Sequence, residues 1–186
     1  MSDEPAAPAA PPPSSTASRE EIHSMLRVDH AGELGARRIY EGQLAVLGDH
    51  PAAAEIEHMK EQEQVHLDTF ESLLNSYQAR PSLLTPLWNG AGFMLGAATA
   101  AMGPKAAMAC TIAVEEVIGE HYRQQAERLD DSEAELRATI CQFRDEELEH
   151  RDTARDHDGE KAIGYPVLRQ VIQAGCHVAI AVAKRV

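Results

Sequence analysis

Four stretches of this chain space apolar residues three or four positions apart, and each stripe carries a glutamate where an apolar residue would be expected. The first stripe is Leu26, Glu33, Ala36, Tyr40, Leu44 and Leu47, and the second is Ile56, Met59, Glu63, His66, Phe70, Leu73 and Tyr77. The third is Met108, Ile112, Glu115, Ile118 and Tyr122, and the fourth is Leu136, Ile140, Phe143, Glu147, His150 and Ala154. Such spacing keeps side chains on one face of a 3.6-residue helix. The acids therefore point the same way as the core. No segment alternates polar and apolar residues between turn signals, so the chain reads as all-α.

The inward polar residues come in two similar sets: Glu33 with Glu63-x-x-His66, then Glu115 with Glu147-x-x-His150. Glu63 to Glu147 and His66 to His150 are both 84 positions, which makes the chain two copies of one helix pair. A glutamate and a histidine three residues apart share a helical face and can reach one ion. Six such ligands from four helices form the pattern of a di-iron or di-manganese site in a ferritin-like four-helix bundle.

Electrostatics supports the metal. An ionised carboxylate in a bundle core costs on the order of several kcal/mol. Four gathered together repel and tend to protonate. Two divalent cations offset their charge, and carboxylate with imidazole suits iron or manganese better than zinc, which often recruits cysteine. A single Glu-x-x-His usually marks a solvated face. Glu55 and His58 illustrate this, because their face continues through Gln62, Val65 and Thr69 and has no duplicate 84 residues on. They are assigned to the surface.

Helix boundaries follow from local signals. Ser18 with Glu21 makes a capping box for a helix to about Gly48, and Asp49 and Pro51 restart a second helix that Pro81 should stop. A third long helix runs from about Lys105 to Leu129, a second capping box at Ser132 and Glu135 opens a fourth to about His157, and Pro166 begins the last. The uncharged stretch 81–104 is long enough to span a bilayer. Pro86, Asn89 and four glycines interrupt it, so it is expected to lie in a membrane surface rather than cross it. Residues 1–18 hold five of the ten prolines and are expected to form a disordered tail, leaving 19–186 as one domain.

The formal charge of −13 argues against nucleic acid as a partner. Cys110, Cys141 and Cys176 are too scattered for a disulfide framework or a CxxC site. The N-terminal stretch has neither an apolar signal region nor an arginine before Arg19, so no targeting signal is expected. Glu146, just before Glu147, is a candidate either to hydrogen-bond a metal-bound histidine of another helix or to be a solvated surface glutamate. His121 and Tyr122, two turns beyond Glu115, are candidates for a substrate pocket. GAGFMLG over 90–96 lacks the spacing and strand context of a dinucleotide loop, and reads as a small-residue helix contact.

RVDHAGELGARRIYEGQLAVL (27–47), ACTIAVEEVIGEHY (109–122), FRDEELEHRD (143–152) and QAGCHVAIAV (173–182) closely resemble the demethoxyubiquinone hydroxylase family of ubiquinone biosynthesis. The likeness covers nearly the whole chain after the tail; Leu34 departs from it, where many members carry tyrosine. The resemblance implies metal ligands and catalytic residues at Glu33, Glu63, His66, Glu115, Glu147 and His150. Glu63 and Glu147 would bridge two iron ions, with Glu33 and Glu115 terminal. It implies O₂-dependent hydroxylation of a prenylated quinol, with electrons derived from NADH and with His121 and Tyr122 handling substrate or electrons.

The stretch 83–102 and the C-terminal residues Val171, Ile172, Val178, Ile180 and Val182 supply more apolar surface than a four-helix core requires. They are expected to form a membrane-facing opening for the prenyl tail. The implied setting is peripheral, on the cytoplasmic face of a bacterial inner membrane or the matrix side of the mitochondrial one. A lipid-binding companion protein and a homo-oligomer are compatible partners. The alternative readings are ferritin-like iron oxidation and storage, or a metal-free scaffold.

Overall fold

The computed structural model describes residues 17–186. Among these residues there are six α-helices and no strands: α1 (Arg19–Leu47), α2 (Ala53–Tyr77), α3 (Thr85–Ala101), α4 (Pro104–Ala126), α5 (Ala134–Asp156) and α6 (Tyr165–Ala183). The tail expected over 1–18 lies outside the described residues except for its end. Ala17 is buried and donates its N–H to the Arg128 carbonyl, and Ser18 caps α1.

Helices α1, α2, α4 and α5 form the bundle, and their apolar stripes build it in layers. Leu26, Phe70, Leu74, Tyr122, Leu136, Ile140 and Phe143 pack together at one end. Tyr40, Leu47, Ile56, Met59, Met108, Ile112 and Ala154 pack together at the other. The glutamates and histidines of each stripe fall between these two layers. The layer order also gives direction: α1 and α5 run one way, α2 and α4 the other. The short links 48–52 and 127–133 join antiparallel neighbours, and the long connection from α2 to α4 carries α3.

Local chemistry explains most helix ends. Ser18 and Glu21 form the expected capping box in both directions. The expected box at Ser132 and Glu135 does not form. Asp130 instead accepts from the Ser132 N–H and hydroxyl, opening a 3₁₀ turn over Asp131–Glu133 that runs into α5. A carboxylate two residues upstream is the stronger acceptor and occupies the serine that would have capped. Helix α2 ends before Pro81 because Gln78 turns left-handed (φ 56°) and the Ala79 N–H closes onto the Leu74 carbonyl.

Helix α3 lies against α1 at near-contact of the two backbones. A Cβ on Gly96 would sit 1.9 Å from the Ile39 carbonyl oxygen, one on Gly92 2.6 Å from that of Gly35, and one on Gly42 2.1 Å from that of Phe93. The GAGFMLG stretch is thus a helix-packing element, as its small residues suggested. Its other face is open: Leu87 and Met94 are exposed.

Helix α6 is 19 residues long with mean hydropathy 1.3, long and apolar enough to cross a membrane, and little of it is buried in the protein. Ile172 and Ala183 pack inward, whereas Val167, Val171 and Val178 are each about two-thirds exposed, at 66%, 65% and 64%. Glu116 of α4 ties α6 down, accepting from Arg169 Nε at 2.6 Å and Gln173 Nε2 at 2.9 Å. Arg155 of α5 meets the same carboxylate at 3.0 Å.

The backbone approach yields a paired test. Gly96→Val should destabilise the fold by ~1–3 kcal/mol or more by forcing α3 off α1. Gly90→Ala, whose Cβ would meet nothing within 4 Å, should stabilise α3 by ~0.5–1 kcal/mol. Thermal unfolding followed by circular dichroism measures both.

Candidate metal centre

The six residues selected by periodicity converge. Glu33, Glu63, His66 and Glu147 offer atoms within 4.8 Å of one another, and so do Glu63, Glu115, Glu147 and His150. Glu63 and Glu147 belong to both groups, so the arrangement is two adjoining sets of four that share two carboxylates. All six residues are buried, none more than 2% exposed. Glu55 and His58 lie on the exterior, as expected.

Both histidines turn the same atom toward the cluster. His66 Nδ1 lies 3.1 Å from Glu147 Oε1 and 3.3 Å from Glu33 Oε2, and its Nε2 lies 2.6 Å from Glu146 Oε2. His150 Nδ1 lies 3.1 Å from Glu147 Oε2, and its Nε2 lies 3.0 Å from Gln62 Oε1. The outer partners are acceptors, so each Nε2 carries a proton and donates it. Nδ1 of each ring thus faces the cluster, where it meets Glu147 and would offer its lone pair to a cation on losing its proton. Glu146 thus hydrogen-bonds a histidine of another helix rather than lying free in solvent.

Two tyrosines complete the shell. Tyr40 donates to Glu115 Oε1 at 2.7 Å, and Tyr122 donates to Glu33 Oε1. Burial pushes both phenols well above their ordinary range, with nearby carboxylates adding to the effect, so they stay protonated donors. Each tyrosine lies seven residues beyond the glutamate of its own half and serves the glutamate of the other half.

Neither oxygen of buried Glu63 has a hydrogen bond, its nearest base being His150 Nδ1 at 3.2 Å from Oε1, and Glu115 Oε2 also lacks one. Desolvation, reinforced by Glu147 and other carboxylates, drives Glu63 and Glu115 well above the usual carboxylate range. Burial also acts against charge on Glu147, but hydrogen bonds from His150 and His66 outweigh it and hold this carboxyl low, at about 2. His66 follows the same logic in reverse: burial opposes its charge, yet Glu147 and Glu33 raise it to about 11. Carboxylate oxygens without hydrogen bonds beside imidazole Nδ1 atoms, in a buried cluster with more acids than bases, fit oxygen- and nitrogen-ligated metal.

His121 and Tyr122 face different regions. His121 lines a cleft of about 390 Å³ between α4 and α6, with Val117, His177, Ile180 and Lys184 among its walls. Tyr122 points inward to Glu33 and is buried. Consecutive helical residues diverge by about 100°, so one faces the cleft and the other the cluster. Burial lowers His121 to about 4, and its Nε2 lies 3.0 Å from Gln125 Nε2 beside buried Asp29.

Sequence reading did not select Tyr40, which sat on an apolar stripe, or Gln62, which sat on the surface row of Glu55 and His58. The repeat contained the missing signal. Gln62 and Glu146 are 84 apart like the ligands, and Tyr40 and Tyr122 are 82 apart like Glu33 and Glu115.

The fold and cluster define a class: an all-α bundle whose four central helices converge on a buried carboxylate–histidine centre that could hold metal. Within that class, the family model described as ubiquinone biosynthesis protein COQ7 matches residues 20–183, and the chain belongs to this family. It is 55% identical over 166 residues to the 3-demethoxyubiquinol 3-hydroxylase of Rhodospirillum rubrum, covering 89% of this chain and 78% of that protein. It is 50% identical over 171 residues to the mouse protein named NADPH-dependent 3-demethoxyubiquinone 3-hydroxylase, mitochondrial, covering 90% and 79%. Identity to the yeast 5-demethoxyubiquinone hydroxylase, mitochondrial, is 45% over 182 residues, covering 89% and 78%.

The shifted carboxyls set a pH dependence. Protons held by Glu63 and Glu115 stabilise the metal-free fold fully below the unfolded value near 4.5, and that contribution is lost as pH rises through the raised folded values. A cation must displace those protons. The rise in melting temperature on adding ferrous iron anaerobically should therefore grow between about pH 5.5 and about pH 7.5. A pH-independent increment would contradict this.

Proposed function

We propose that this chain hydroxylates a demethoxyubiquinol, a prenylated benzoquinol, at a pair of iron ions. The observation that carries this reading is the shared geometry of Glu63 and Glu147 between two buried ligand sets, in a chain of this family. Glu33 and His66 would hold one ion, Glu115 and His150 the other, with Glu63 and Glu147 bridging. Bound iron would supply activation of dioxygen, one atom entering the ring as hydroxyl and the other leaving as water.

The chain's own groups have separable tasks. Glu146 and Gln62 fix the histidine tautomers, and Tyr40 and Tyr122 orient Glu115 and Glu33. The layers around Phe70 and Phe143 on one side and Ile112 and Met59 on the other exclude water. His121, on the cleft wall, would meet the quinol head group or pass electrons. Electrons would come from a reduced nicotinamide; NADH is our choice, and because the mouse relative's name specifies NADPH, both belong in the assay.

The exposed valines of α6 and the exposed Leu87 and Met94 of α3 would lie in a membrane surface and admit the prenyl tail. The Glu116 anchor favours α6 lying along the bundle over crossing the bilayer. The setting would be the cytoplasmic face of a bacterial inner membrane, or the matrix side in a mitochondrion. A lipid-binding companion protein and a second copy are compatible with the same apolar surface.

Mass spectrometry after incubation with demethoxyubiquinol, a reductant and ¹⁸O₂ tests the reading. One labelled oxygen per product is expected; iron uptake far beyond two per chain without product would favour storage. Glu147→Ala or His150→Ala should abolish turnover and lower iron content by about tenfold or more, while Glu55→Ala and His58→Ala leave both unchanged. Zwitterionic vesicles should carry the protein upward in a flotation gradient. Val171→Glu with Val178→Glu should leave it at the bottom, and undiminished flotation would contradict the membrane assignment.

A further inference from the structure

The outer partners of the two histidines occupy equivalent positions in the repeat but differ in charge. Glu146 Oε2 lies 2.6 Å from His66 Nε2, and Gln62 Oε1 lies 3.0 Å from His150 Nε2. Gln142 Nε2 donates to the other Glu146 oxygen at 2.9 Å, fixing this carboxylate between α5 and the ring of α2. The ligand set itself is balanced: two shared glutamates, one terminal glutamate per half, and one tyrosine on each of those, with buried Asp29 a further acid near Glu33. The cluster is symmetric in ligands and asymmetric behind its histidines.

We propose that Glu146 and Gln62 are positioning residues that make the two cation sites inequivalent, the Glu33–His66 half binding its ion more tightly than the Glu115–His150 half. This rests on the reading of the cluster as a two-metal centre. A carboxylate accepting the Nε2 proton shifts electron density through the ring and makes Nδ1 a stronger donor. A neutral amide accepts the same proton with about half the strength. Glu146 also adds a negative charge on the His66 side, with its side chain only 27% exposed. Ring contacts do not cancel the difference, since His66 stacks on Phe143 (centroids 4.0 Å) and His150 meets Tyr40 edge-on (6.2 Å), both uncharged. The consequence is ordered loading, the His66 half first.

Anaerobic titration of the full chain with ⁵⁷Fe(II), read by binding isotherm and Mössbauer spectroscopy, tests the proposal. Wild-type protein should bind in two steps, the first and second equivalents giving different quadrupole doublets. Glu146→Gln should weaken the first step by about tenfold and merge the steps. Gln62→Glu should instead strengthen the second and merge them from the other side. The double exchange, Glu146→Gln with Gln62→Glu, should restore two steps, which damage to packing at either position would not do. One class of sites with a single doublet in wild type, equal weakening of both steps by Glu146→Gln, or a double exchange that stays merged would overturn the inequivalence while leaving the two-metal reading intact. Folded wild-type protein that binds no iron would overturn both.

Discussion

Four carboxylates held between two apolar layers constrain everything else in this protein. Glu33, Glu63, Glu115 and Glu147 are removed from water by residues such as Phe70, Phe143, Ile112 and Met59. Without compensation their mutual repulsion would exceed what a marginally stable domain tolerates. The remaining structure around them serves as compensation: two imidazoles, two phenols, and raised proton affinity at Glu63 and Glu115. The orphaned oxygens of Glu63 mark what the side chains alone do not satisfy. A bound cation would resolve that deficit and give the acids a use.

The bundle and the two outer helices differ in what they bury: the bundle encloses the polar cluster, and the outer helices carry the exposed apolar faces. The four central helices form two antiparallel pairs, each closed by a short link, and the six ligand positions lie between their two apolar layers. Helices α3 and α6 lie outside this frame, one locked by glycine contacts and the other by the Glu116 carboxylate, and both keep apolar faces turned outward. Placing the greasy surface on added helices leaves the core free to be polar. His121 stands where the two regions meet, on the cleft wall beside α6 and next in sequence to Tyr122, whose hydroxyl reaches the cluster.

Much of the centre was legible before any coordinates, because helical periodicity is local. Three- and four-residue steps decide which side chains share a face, and a glutamate on such a stripe stands out against its neighbours. The same reasoning separated Glu63 and His66 from Glu55 and His58. It failed where a residue is chemically ambiguous: Tyr40 passes for core packing until its hydroxyl has a partner, and Gln62 sits one position before a ligand on a row that otherwise faces water. It also misplaced the start of α5, where Asp130 competes with Ser132 for the capping role.

The chain's own pattern therefore determined the helical class, the six inward polar residues and their duplication, since each depends on neighbours within a turn or two. Only the tertiary structure decided the pairings across helices: Tyr40 with Glu115, Tyr122 with Glu33, Gln62 with His150 and Glu146 with His66. These contacts join residues roughly 75 to 89 positions apart, and they depend on the offset and rotation of whole helices, which follow from how all the layers pack at once. Sequence spacing can say that a side chain faces the interior. What it meets there is settled by the helix on the other side.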